Sequence, residues 1–340
     1  MRVVLYAAIT VGVLQGCVDD NLSVSTQGVI HGSLTPAGKY PATGALIAQV
    51  NGQRVVFCTG TLIAPDAVAT AAHCMIPPPG IGDFTPYFTL ALNANTAPAS
   101  QLVQGREKHY HPQYNQNVEA PGTLAHTYDV GIVLLTAPVP NAQIAYLPTP
   151  AEAATMMQGM PLEITGYGLT IASDDNSAGV KYDATTTLSA VGQYEIGVGV
   201  AGGPQNCHGD SGGPAYMHVG NGLRMVGLVS RGNTGGEDTC DRGGIDTRAD
   251  AYRSWFGMYT TLADPPADPG PGEGSGSGSG SGSGEGSGSG SGSGDDGTQE
   301  NGSTYGGCSA GGAAGDFGTL ALIALAVMSL CMRARLWRLV

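Results

Sequence analysis

Basic residues are scarce in this chain. Its 340 residues carry 14 Lys and Arg against 27 Asp and Glu, a net charge of −13. So acidic a chain has no electrostatic footprint for a phosphate backbone, which removes nucleic acid from the candidate partners. Charge of either sign is thin, at 12%, while Gly reaches 55 residues, a combination that marks a long low-complexity segment. Near the start, the apolar run from Val3 to Leu14 is too short to span a bilayer as a helix. The loop opened by Pro77-Pro78-Pro79 lacks the carboxylate cluster a calcium site needs, and the sequence predicts no metal and no cofactor. Hydrophobic content is 41%, enough for a sizeable core.

What the chain does have is concentrated around Gly209-Asp210-Ser211-Gly212-Gly213-Pro214. A serine hydroxyl is a poor nucleophile until a base takes its proton. An attacked carbonyl also needs donors aimed at the oxygen that becomes negative. Glycines on both sides let a bent backbone point the Gly209 and Ser211 N–H groups at that oxygen. A base is available in Thr70-Ala71-Ala72-His73-Cys74, and an orienting acid in Tyr128-Asp129-Val130-Gly131, at the mouth of the apolar run Ile132–Leu135. From Gly44 onward, short β-branched runs are separated by Gly, Pro and Asn. Ala45–Val50, Arg54–Thr59, Tyr87–Leu92 and Gly131–Leu135 predict strands, the pattern of an all-β barrel fold. Over Ala249–Leu262, Tyr252, Trp255, Phe256 and Tyr259 recur at helical spacing and predict a closing helix with one packed face.

With His73, Asp129 and Ser211 in this order and at domain-scale spacing, residues 29–262 resemble the chymotrypsin/trypsin family of serine proteases. The resemblance implies two six-stranded antiparallel β-barrels with the site in the cleft between them, and a C-terminal helix. It implies an endopeptidase in which Ser211 attacks, His73 shuttles the proton, Asp129 orients the imidazole, and Gly209 and Ser211 form the oxyanion hole. It pairs Cys58 with Cys74 and Cys207 with Cys240, which implies an oxidising compartment. Val29-Ile30-His31-Gly32 looks like the family's activation site, where a cut before Val29 frees an amine to pair with Asp210. His31 departs from the usual glycine there. Gly166-Tyr167-Gly168 resembles a family Gly-Trp-Gly with tyrosine in the middle. Val226–Gly232 resembles the strand that pairs with substrate backbone, with Ser230 supporting Asp129. Gln205, Gly232 and Gly244 fall at the specificity pocket, which reads as uncharged and open, and Asp246 lies close enough in sequence to face it. His109, His111 and His126 lack the motif around His73 and read as loop histidines. The rival function class is a catalytically silent binding module on the same scaffold. Such modules typically lose a triad residue, and this chain keeps all three.

The two ends carry their own signals. Residues 1–17 read as an export signal, ending in Leu14-Gln15-Gly16-Cys17, which resembles a bacterial lipobox with Cys17 as the lipidated residue. Residues 18–28 read as a propeptide or linker. Residues 263–307 contain Gly-Ser repeats and cannot bury enough apolar surface to fold. They read as a tether with a reach of roughly 35–40 Å. Residues 308–340 hold Cys308, an apolar run from Phe317 to Met332, and Arg333, Arg335 and Arg338. This tail resembles a myxobacterial-type C-terminal sorting signal, with a simple membrane helix as the alternative. The sequence therefore predicts a monomeric protease of polypeptides, made as a zymogen, at a bacterial outer membrane or cell surface. Its contacts with the membrane are the N-terminal lipid, the C-terminal helix or both, and release into the medium is open.

Overall fold

A computed structural model describes residues 29–50, 52–77, 82–115, 123–220, 222–233 and 240–266. The signal, Cys17, the propeptide, the Gly-Ser tether beyond residue 266 and the C-terminal tail lie outside the described residues. All described residues fall in one compact unit. No helix among them is long and apolar enough to cross a membrane.

A two-residue strand, β1 (Ser33–Leu34), is followed by β2 (Thr43–Val50), β3 (Gln53–Ala64), β4 (Ala67–Thr70), β5 (Tyr87–Thr89), β6 (Val103–Tyr110) and β7 (Gly131–Leu135). Strands β2 to β7 close a barrel in the order β2-β3-β4-β7-β6-β5, every pairing antiparallel. β7 reads Gly-Ile-Val-Leu-Leu without a polar residue, and all of it is buried between β4 and β6. The interior is filled by side chains such as Leu46, Leu62, Val68, Phe88, Ile132 and Leu135.

The second barrel uses β8 (Pro161–Gly166), β9 (Tyr182–Val191), β10 (Glu195–Val198), β11 (Pro214–Val219), β12 (Gly222–Gly232) and β13 (Gly244–Arg248). Their order is β9-β10-β13-β12-β11-β8, closed by pairing of β8 with β9, and β1 adds at the outer side of β9. Its core includes Leu162, Ile164, Leu188, Ile196, Ala215 and Val226, with Val29 packed among them. Two closed six-stranded barrels are what the sequence implied.

The closing helix is shorter than the spacing over Ala249–Leu262 predicts. A 3₁₀ turn at Asp250–Tyr252 leads into α-helix only over Arg253–Phe256. The Gly257 N–H closes the last turn on the Arg253 carbonyl, 3.0 Å away. Glycine costs about 1 kcal/mol in a helix relative to alanine, and the β-branched pair Thr260-Thr261 follows. The aromatic face survives the shortening. Tyr252, Trp255 and Phe256 are buried against the first barrel, so the end of the chain straps the barrels together. Aromatic rings also account for two histidines: His109 stacks on Tyr259 at 4.5 Å, and His111 stacks on Tyr128 at 4.8 Å and meets Tyr252 edge-on at 5.7 Å.

Candidate active site

His73 lies just past β4, in a 3₁₀ turn over His73–Met75. Cys74 is disulfide-bonded to Cys58 on β3, which fixes the turn against the first barrel. Asp129 sits two residues before β7 and is 3% exposed. A carboxylate this buried needs donors, and it has them. Its Oδ1 accepts the His73 backbone N–H at 3.0 Å, and its Oδ2 faces His73 Nδ1 at 2.8 Å and accepts the Ser230 hydroxyl at 2.7 Å. Burial alone would raise the Asp129 carboxyl, but the imidazole charge and these donors outweigh it and hold the group below its usual value. An ionised carboxylate only accepts, so Nδ1 is the donor and Nε2 is the ring's free basic atom. Burial by itself would lower the His73 imidazole, and Asp129 overcomes that and raises it above 6.5.

The serine turn is pinned at the seam of the barrels. The Ser211 carbonyl accepts the N–H of Thr59, on β3, at 2.9 Å, and the Cys74 sulfur lies 3.7 Å from it. Gly212 N–H donates to Val229 of β12 at 2.8 Å, and Gly213 N–H to Asp210 at 2.8 Å. Gly209 has φ +91°, a conformation that a side chain would strain. The N–H groups of Gly209 and Ser211 have no acceptor among the described residues, and the Ser211 hydroxyl makes no hydrogen bond there. The structure thus joins His73 to Asp129 but gives no hydrogen bond between His73 and the Ser211 hydroxyl; catalytic hydrogen bonds are often long in a free enzyme and tighten only around a substrate.

Asp210 is fully buried beneath this turn. Its oxygens accept N–H groups of Gly168 at 2.8 Å and Cys207 at 2.9 Å. A Cβ at Gly168 would come within 2.6 Å of the Asp210 backbone nitrogen, so the Gly-Tyr-Gly stretch is a seat for this acid. Burial outweighs those donors and pushes the carboxyl up to about 6, and no Lys or Arg pairs with it among the described residues. Val29 is 1% exposed, with φ +46°. A β-branched residue in that region is strained. His31, at the place where glycine was expected, also has positive φ, +62°.

Of the residues expected at the specificity pocket, Gln205 is buried and both ends of its amide are engaged, Nε2 with the Gly203 carbonyl at 3.3 Å and Oε1 with the Gly243 N–H. Its neighbour Cys207 is bonded to Cys240. Gly232 and Gly244 pair directly across β12 and β13. Asp246, on β13 opposite Val229, is 1% exposed, and its Oδ2 has no hydrogen-bond partner among the described residues. Burial pushes it up to about 8, opposed by Arg231 and reinforced by Glu195. The one cluster of metal-ligand side chains among the described residues is Cys58, His73 and Cys74, and its two sulfurs are spent in a disulfide.

Sequence reasoning missed a group around Asp129. Thr247 Oγ1 donates to the Asp129 carbonyl at 2.9 Å, and Arg231 pairs with Glu195 at 2.8 Å through both terminal nitrogens. The available signals were an arginine inside the apolar stretch Val226–Gly232 and a glutamate opening β10.

Two closed barrels, with a histidine–carboxylate pair and a serine turn at their seam, define a serine hydrolase of the two-barrel class. The trypsin family's sequence profile matches residues 29–256. The chain is 27% identical to chymotrypsin-like elastase family member 1 of Macaca fascicularis over 269 residues, covering 75% of this chain and 97% of that protein. It is 30% identical to a trypsin of Saccharopolyspora erythraea over 237 residues, covering 66% and 94%, and 30% identical to a trypsin of Phaedon cochleariae over 227 residues, covering 61% and 80%. The chain belongs to the trypsin family and is a serine-type endopeptidase.

The imidazole's elevated pKa depends on the carboxylate charge beside it. Asp129→Asn should therefore drop the His73 pKa from above 6.5 to below it, because only the burial cost remains. NMR titration of the His73 ring checks this. An unchanged pKa would mean that the Asp129 contact is not what sets it.

Proposed function

We propose that this endopeptidase works through Ser211, His73 and Asp129, and that it is exported as a zymogen. The observation that carries the reading is the buried Asp129 carboxylate at 2.8 Å from His73 Nδ1, with the Ser211 turn anchored to the strands on either side. Ser211 Oγ attacks the peptide carbonyl while His73 Nε2 takes its proton. The N–H groups of Gly209 and Ser211 receive the oxyanion. His73 then protonates the leaving amine, and water hydrolyses the acyl-enzyme by the same route. Ser211→Ala should fold and lose turnover on the order of 10⁴-fold or more. A fluorophosphonate probe should label the wild type at Ser211. Peptide hydrolysis retained by purified Ser211→Ala would sink the assignment.

Activation is a cut before Val29. Positive φ at a valine costs on the order of 1–2 kcal/mol, and the cut abolishes that torsion by removing the preceding carbonyl. The freed amine gives Asp210 an ammonium partner, and a buried pair is held in place because either charge alone is so costly. Cys17 carries a lipid that leaves with residues 18–28, since no cysteine there ties the propeptide to the domain. The active form is then held only by its C-terminal tail, or freed once that tail is processed near Cys308. N-terminal sequencing of active enzyme should begin at Val29. Fractionating cells that express Cys17→Ala or a truncation after Asp264 tests the anchors. Activated truncated enzyme that still sediments in a Cys17-dependent manner would show the lipid is not shed.

The primary pocket is uncharged near neutral pH. Gln205 carries no charge, and Asp246, with its carboxyl at about 8, is protonated there. A positional-scanning peptide library at neutral pH should show no dominant Arg or Lys preference. Preference for basic residues should grow in buffer above that value, as Asp246 ionises. A dominant Arg/Lys signal at neutral pH would refute the neutral pocket.

A further inference from the structure

Asp129 comes from the first barrel, yet most of what fixes its approach comes from the second. Glu195, at the start of β10, is 1% exposed and accepts four hydrogen bonds. Two come from the segment leading to Asp129: Ala125 N–H at 2.6 Å and Thr127 Oγ1 at 2.7 Å. The other two come from Nη1 and Nη2 of Arg231, each at 2.8 Å. Arg231 Nη2 reaches the same segment again at the Thr123 carbonyl, 3.0 Å away. A bidentate guanidinium–carboxylate pair fixes orientation as well as distance. Here it is nearly closed to water, with side-chain exposures of 20% for Arg231 and 1% for Glu195.

The segment is attached a second time by stacking. The His126 ring lies between Tyr194, at 3.4 Å and 5°, and Tyr128, at 3.6 Å and 28°. Tyr194 immediately precedes Glu195, so both attachments end on one strand start. Thr247, the cross-strand partner of Glu195 on β13, donates to the Asp129 carbonyl. Ser230, next to Arg231 on β12, donates to the Asp129 carboxylate. Three adjacent strands of the second barrel thus hold the residues from Thr123 to Asp129.

Backbone strain shows that the hold is needed. Tyr128, directly before Asp129, has φ +58°. A bulky residue stays in that region only where its surroundings over-determine it. Released, the segment would relax toward ordinary φ and carry the Asp129 carboxylate away from His73.

We propose that Glu195, with Arg231, is a positioning group for the hydrolytic reaction: it clamps the Thr123–Tyr128 segment to the second barrel and so sets the Asp129 carboxylate against His73. The proposal rests on the triad reading above. Neither residue touches the reacting atoms. The clamp also links catalysis to barrel docking, because the acid is in register only while the two barrels stay packed.

The test uses activated full-length enzyme carrying Glu195→Gln or Arg231→Lys, with Thr127→Val and Thr127→Ser as a milder pair. Gln keeps the volume of Glu but replaces one acceptor by a donor facing other donors. Misplacing a catalytic group by about 1 Å can cost up to about 100-fold. Glu195→Gln should therefore lower kcat about tenfold or more with KM changed less than about twofold. The His73 pKa, read by NMR, should fall toward that of Asp129→Asn. Thr127→Val should shift both in the same direction by less, and Thr127→Ser should restore them. Should Glu195→Gln fail to fold, the Thr127 pair decides. Folded variants with wild-type kcat and an unmoved His73 pKa would overturn the clamp, even if their thermal midpoints fell. The NMR arm does not depend on Ser211 chemistry, so activity retained by Ser211→Ala would remove the triad reading while the titration still judged the clamp.

Discussion

The buried charge on Asp129 is the constraint around which the rest is arranged. An ionised carboxylate withdrawn from water is very costly unless it is paired and hydrogen-bonded. Its solution here takes in both barrels: His73 by backbone and ring, and Ser230 from the opposite strand. Each donor is itself fixed, His73 by a 3₁₀ turn next to a disulfide and Ser230 by its place on β12. Satisfying one charge therefore fixes the tautomer and aim of the imidazole, along with the docking of one barrel on the other.

Three buried aspartates, Asp129, Asp210 and Asp246, have different characters that their surroundings give them. Asp129 has an imidazole and strong donors and is held ionised. Asp210 has two backbone N–H groups and no Lys or Arg partner among the described residues, and its carboxyl rises to about 6. Asp246 has an oxygen without a donor and rises to about 8. The same side chain thus yields a carboxyl held below its usual value, one raised to about 6 and one raised to about 8. Pairing, more than burial, sorts them, since all three are buried.

Short-range chemistry was legible in the sequence wherever adjacent residues carry it. The Gly-Asp-Ser-Gly-Gly-Pro turn, the His73-Cys74 pair and the acid before an apolar strand each need a few consecutive residues of fixed type. The strands were legible because β-branched runs broken by Gly, Pro and Asn have few other uses. The closing helix was over-read because its 3–4 aromatic spacing continues past Gly257, where regular α-helix gives way to looser turns. The positive φ of Val29 and of His31 was not legible, because it depends on how the chain enters the second barrel.

By itself the sequence determined the class of chemistry, the order of the three site residues, the two barrels and the pairing partners of four cysteines, all of which rest on local pattern or on a family resemblance. Only the tertiary structure decided how the site is held. Glu195 meets Thr127 across 68 positions, Arg231 meets Thr123 across 108, and Thr247 meets Asp129 across 118. The amide of Gln205 is likewise taken up by Gly203 and by Gly243, which belongs to a different part of the chain. Contacts of that range leave no periodic trace in the chain. They exist because two closed barrels, once packed, bring the start of β10 and the ends of β12 and β13 against the residues from Thr123 to Asp129.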